Sequence, residues 1–168
     1  MFGAGGRNLP RFGHTWNFAV EVERRDPDNP QLRRVDLWAA RQLLTRDDPW
    51  AYVPQFCLSV ERTISWLLRE PKIGLPWPDL APAENHRRLL AADDGSREPY
   101  WFPMWGPTTD NVTGNLFRRE RDVIFTFEFW RPTHHIPADL GRVFVAELPE
   151  QELLLVMHEA VSYLRRNE

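Results

Sequence analysis

VIFTFEFW, residues 123–130, is the stretch on which the fold class turns. Successive side chains of an extended chain point to opposite faces. Val123, Phe125, Phe127 and Phe129 therefore share one face, and Ile124, Thr126, Glu128 and Trp130 share the other. A strict period of two in aromatic and β-branched residues reads as a strand with one buried face. NVTGNLF (111–117) reads the same way, and the RRERD between the two has the length of a hairpin loop. RVFVAEL (142–148) adds a further strand. Toward the N-terminus, WNFAVEVER (16–24) opposes Phe18, Val20 and Val22 to Ala19, Glu21 and Glu23. RDPDNPQ (25–31) is a turn by its Pro, Asp and Asn content. The strand that opens RRVDLWAARQLL (33–44) opposes Val35, Leu37 and Ala39 to Asp36, Trp38 and Ala40 and closes a second hairpin. AYVPQF (51–56) reads as a short or edge strand, because Pro54 cannot donate to a central ladder.

Three segments switch to helical spacing. SVERTISWLLRE starts at Ser59, an N-cap residue type, places Val60, Ile64, Leu67 and Leu68 on one face and stops at Pro71. AENHRRLLAADDG forms a short helix with Pro82 at its start and Gly95 past its end. PEQELLLVMHEAVSYLRR closes the chain as an amphipathic helix, with Glu150 and Glu152 at its positive end and Arg165 and Arg166 at its negative end. Its apolar stripe is Leu154, Met157, Val161 and Leu164. Residues 1–15 are Gly-rich and aperiodic, so they read as a loose arm ahead of one domain over 16–168. Strands grouped apart from helices give an α+β class: a single domain, mostly antiparallel sheet with helices packed on one face. Val20, Val22, Phe125 and Phe127 are expected on the face that the last helix covers.

Composition narrows the function classes. The net charge is -3 with a pI near 6.0, unlike the strongly basic balance of a nucleic-acid binder. No apolar run reaches membrane-spanning length, and MFGAGGRNLPRFGHTWNF lacks the pattern of a secretory signal. A single cysteine, Cys57, excludes an internal disulfide framework. The expectation is a cytoplasmic protein. Lys72 is the lone lysine among 21 basic residues and there are eight Trp, a bias of GC-rich codon usage that points to a bacterial, actinobacterium-like source.

Candidate sites are few. WGPTTDNVTG (105–114) lacks the Gly-Lys-Ser/Thr of a phosphate loop and runs into a strand, so it reads as a turn in which Gly114 allows a bulge. Adjacent His134 and His135 point to opposite sides of an extended chain, and His14, His86 and His158 show no ligand spacing. No metal and no cofactor are expected. Cys57, between Phe56 and Leu58, reads as a buried small hydrophobe. An enzyme reading would need an acid/base set such as Asp110, Glu128 and His134. A binding reading rests on the polar faces of the strands, where Glu21, Glu23, Asp36, Trp38, Glu128 and Trp130 would form an acidic surface with two aromatic anchors. Such a surface suits a protein partner, with no role for nucleic acid or membrane.

The pattern FAVEVE…VDLWAARQLL, followed by an early helix, resembles small bacterial immunity proteins of polymorphic toxin systems. So does the ending VFVAELPEQELLLVMHEAVSYL, a strand that runs into a helix opened by Pro-Glu. The resemblance implies a compact cytoplasmic α+β protein that binds a cognate toxin and blocks it. It carries no site residue over to this chain.

Overall fold

A computed structural model describes residues 9–167. It has three helices and two antiparallel sheets, the α+β class that the alternation implies. The five-stranded sheet contains β1 (Arg11–His14), β2 (Phe18–Arg25), β3 (Leu32–Ala39), β4 (Gln42–Leu43) and β5 (Trp50–Tyr52). Its order is β1-β2-β3-β4, and β5 also pairs with β3. The three-stranded sheet is β6 (Val112–Arg119), β7 (Asp122–Phe129) and β8 (Phe144–Pro149), in that order. The helices are α1 (Val53–Leu68), α2 (Pro82–Ala91) and α3 (Glu150–Arg166).

Both expected hairpins form. β2 pairs β3 with Val20 opposite Leu37 and Glu21 opposite Asp36. β6 pairs β7 without a break from Val112 opposite Phe129 to Arg119 opposite Asp122. Four local expectations give way. Residues 11–14, placed in the loose arm, form β1 against β2; the arm's residues 1–8 lie outside the described residues. α1 begins at Val53 and not at Ser59, because Pro54 sits in its first turn, where a fixed φ and a missing N–H cost nothing. The buried stripe of α3 is Leu153, Val156, Met157, Ala160, Val161 and Leu164, with Leu154 at its margin. Gly114 makes no bulge. The Phe102 backbone crosses it, donating its N–H to the Gly114 carbonyl at 3.3 Å.

Phe18, Val20 and Val22 of β2 and Val35, Leu37 and Ala39 of β3 turn into one core with α1, α3 and the Phe125–Phe127–Phe129 face of β7. Phe18 meets the Phe125 ring edge-on at 6.3 Å, and Phe127 stacks on Phe125 at 4.9 Å and on Phe144 at 5.3 Å. Val20, Val22, Phe125 and Phe127, expected on one face under the last helix, all lie in this core, but α3 packs on β2 and not on β7, so it covers the valines while the β7 phenylalanines fill the core from the small sheet. α3 itself packs on β1, β2 and α1. α2 lies on the outer face of the small sheet, where Leu89 joins Phe117 and Ile124 in a second cluster. Helices thus flank different sides of two sheets, because the outer face of the small sheet is apolar enough to need its own cover.

Candidate partner-binding face

The β2–β3 register decides which polar residues meet. Glu21 stands opposite Asp36 and Ala19 opposite Trp38, so Glu21, Asp36 and Trp38 lie on the face of the large sheet turned away from the core; Glu23 falls in an irregularity of the pairing between Val22 and Arg25 and reaches the same face through Arg34. α3 crosses β1 and β2 on the other side, where Tyr163 meets Phe12 at 5.8 Å. β5 extends the outward face. Trp50 stands opposite Arg34, and Tyr52, two residues on, is exposed. Arg24 rests its guanidinium over the Trp50 ring at 5.9 Å.

The carboxylates are not bare. Arg11 pairs with Glu21, which also accepts the Trp38 indole N–H at 3.3 Å. Arg34 Nε lies 3.5 Å from Glu23 Oε1 and 3.4 Å from Asp36 Oδ1. Burial raises the Asp36 carboxyl above its ordinary value; Arg34 pulls it back, and Glu23 and Glu21 push it further up. The expected acidic surface is therefore a mixed one of arginines, carboxylates and aromatic rings.

Glu128 and Trp130 do not join it. They belong to the small sheet, a separation that alternation within a strand cannot report. Glu128 stands opposite Thr113 on the side that α2 covers, half-buried. Burial raises its carboxyl too, against the pull of Arg87 and Arg97. Trp130 is exposed and donates its indole N–H to the Asp110 carbonyl at 2.8 Å. Beyond Asp110, the exposed Trp101 and Met104 both line a cleft of about 360 Å³.

The acid/base alternative is not assembled. Glu128 and Phe129 are neighbours on β7 and point to opposite faces. His134 stacks on the Phe129 ring at 4.0 Å, buried, with Nε2 3.9 Å from Asp139 Oδ2. Glu128 and His134 thus sit on opposite sides of one strand, and Asp110 lies exposed on a turn. Among the described residues, no group of three His, Cys, Asp or Glu could hold a metal ion. Residues 105–111 of the WGPTTDNVTG segment form a turn held from within, and 112–114 already belong to β6: Trp105 N–H donates to Thr109 Oγ1 at 3.2 Å, and that hydroxyl donates to the Gly106 carbonyl at 3.1 Å. Asn111 ties it across the molecule, donating to the Leu44 carbonyl at 2.8 Å.

Sequence reasoning missed Trp50, Tyr52, Arg11, Arg24 and Arg34 as members of the face. Arg34 was within reach, since it alternates with Asp36 along β3. Arg11 and the β5 aromatics were not, because RFGH and WAY are too short to carry a period.

No protein-family model matches the chain, and no curated protein sequence does. Among solved structures, the fold is similar to that of CdiI from Burkholderia dolosa AUO158. The TM-score is 0.65 over 92% of this chain and 99% of that chain, at 10% sequence identity, so the likeness is one of fold.

Proposed function

We propose that this protein is an immunity-type inhibitor that binds a bacterial toxin protein in the cytoplasm and blocks it. The observation that carries the reading is a fold shared over nearly the whole chain with a CdiI immunity protein of a contact-dependent inhibition toxin system. It agrees with the independent resemblance of the β2–β3 and β8–α3 segments to immunity proteins. Among the described residues, no helix is long and apolar enough to cross a membrane.

The surface we assign to the partner is the outward face of the large sheet: Trp38, Trp50 and Tyr52 with Glu21, Glu23 and Asp36. Trp, Tyr and Arg dominate the energetics of protein interfaces, because they bury much area at little entropic cost. Ion pairs at the rim mainly set the encounter rate and its salt dependence. Glu128, half-buried on the α2 side of the small sheet, and Trp130, exposed beside Asp110, lie outside this surface.

The test is co-expression with the product of any toxin-like gene found directly upstream of this one, scored by growth. Trp38→Ala and Trp50→Ala together, in a protein whose fold is verified by circular dichroism, should weaken binding by about 2 kcal/mol or more and remove protection. Full protection by that double variant, with loss on Trp101→Ala/Met104→Ala instead, would move the interface to the cleft beside Trp101. A wild-type protein that neutralises no such toxin ends the immunity reading.

A further inference from the structure

We infer that the partner seats a basic side chain, an arginine or a lysine, on Glu23 of the outward face, and that this frees Arg34 to close on Asp36. The inference rests on the binding reading above and names the chemistry of its central contact.

Three carboxylates crowd this face, and among the described residues two guanidinium groups, those of Arg11 and Arg34, lie within ion-pair reach of them. Arg11 holds Glu21. Arg34 is divided: its Nε lies 3.5 Å from Glu23 Oε1 and 3.4 Å from Asp36 Oδ1, and its Nη2 lies 3.5 Å from Asp36 Oδ2. Well-made bonds between guanidinium and carboxylate run at about 2.7–2.9 Å, so one cation is stretched between two anions: it gives Asp36 a single long hydrogen bond, from Nη2 to Oδ2, and only an ion pair to Glu23. The consequence is visible in buried atoms. Asp36 Oδ1, on a side chain only 8% exposed, accepts no hydrogen bond, and Arg34 Nε donates none. A buried acceptor left without a donor is a standing cost. Arg24, the next cation, lies over Trp50.

Exposure decides which carboxylate a partner meets. The Glu23 side chain is 25% exposed, against 10% for Glu21 and 8% for Asp36. A cation arriving at Glu23 supplies the third positive charge. Arg34 then has one carboxylate to serve and can reach the two-bond geometry that its planar fork favours. Trp38, Trp50 and Tyr52 on the same face give the stem of the incoming side chain an aromatic surface to lie against. An acidic group would instead meet Glu23 head-on while Arg34 is already engaged.

The experiment pairs affinity with a local probe, using the whole 168-residue chain and the toxin that the co-expression test identifies. Glu23→Gln keeps shape and removes the charge; its affinity for the toxin should fall about tenfold. In parallel, the Asp36 carboxyl is titrated by carbon-detected NMR, free and in complex. Its pKa, raised in the free protein, should fall when the wild-type complex forms and stay raised in the Glu23→Gln complex. Glu23→Gln binding within about twofold of wild type, or an Asp36 titration unmoved by the wild-type complex, overturns the inference while leaving the binding reading intact. A toxin that does not bind the wild-type protein overturns both.

Discussion

A Cβ on Gly114 would stand 2.1 Å from the Phe102 carbonyl oxygen and 2.8 Å from the Phe125 ring. The first neighbour is backbone, and it cannot swing away as a side chain can. Gly114→Ala should therefore cost about 2 kcal/mol or more, read as a lower urea midpoint; an unchanged midpoint would mean that the Phe102 crossing yields freely. Cys57 is fully buried in the core, and burial in apolar surroundings disfavours the thiolate that reacts. A neutral-pH thiol reagent should label it only as fast as the protein opens, which a labelling rate rising in step with added urea would report. Asp36 carries a pH signature. Its folded pKa lies above the ordinary 3.8, so the folded state holds the proton more tightly than the unfolded state. Its contribution to stability is greatest below that value and is lost as pH rises through the folded pKa. Asp36→Asn, which cannot ionise, should gain stability relative to wild type at about pH 7 compared with about pH 3. Paired melts at the two pH values check the sign.

Elements with enough residues to show a period were legible; short ones were not. β2, β3, β6 and β7 have eight residues each, long enough for the alternation of β2, β3 and β7 to show which residues share a face, though not that the second face is largely buried as well. β1, β4 and β5 span four, two and three residues, and they exist because a neighbouring strand offers a ladder. Pro54 was ambiguous for a physical reason. A missing N–H suits an edge strand and a helix first turn equally, and only the packing of Val53, Phe56 and Cys57 into the core selects the helix. Phe127 tests the shared core at this scale. It is fully buried between Phe125, Phe129 and Phe144. Phe127→Ala should cost about 3–5 kcal/mol in a chemical melt; a loss below about 1 kcal/mol would show that α1 and α3 close the core without it.

At the scale of the molecule, alternation tells which residues share a face of a strand but not which strands share a sheet. That is why Glu21, Glu23, Asp36 and Trp38 share one face of the large sheet as alternation expects, while Glu128 and Trp130 lie across a boundary that only tertiary pairing draws. The same division leaves the small sheet with an outer face, and α2 covers it through a polar contact as well as an apolar one. His86 is wholly buried there, with Nδ1 2.9 Å from Thr126 Oγ1 and 3.0 Å from the Asn115 amide nitrogen. The amide donates, so Nδ1 accepts and the neutral ring carries its proton on Nε2, which finds no hydrogen-bond partner. Burial, helped by Arg97 and Arg87, lowers the His86 pKa from 6.5 to about 4. The unfolded chain therefore takes up a proton that the folded chain refuses. Stability from this group is complete above about pH 6.5 and drains away as pH falls toward 4, by roughly 3 kcal/mol in all. His86→Gln removes the titration and keeps a polar group beneath α2. Its unfolding free energy should decline less than that of wild type over this window, with amide exchange in α2 accelerating in the wild type alone. Parallel pH profiles for the two proteins would mean that His86 titrates alike in the folded and unfolded chains, so that its burial beneath α2 sets no pH dependence.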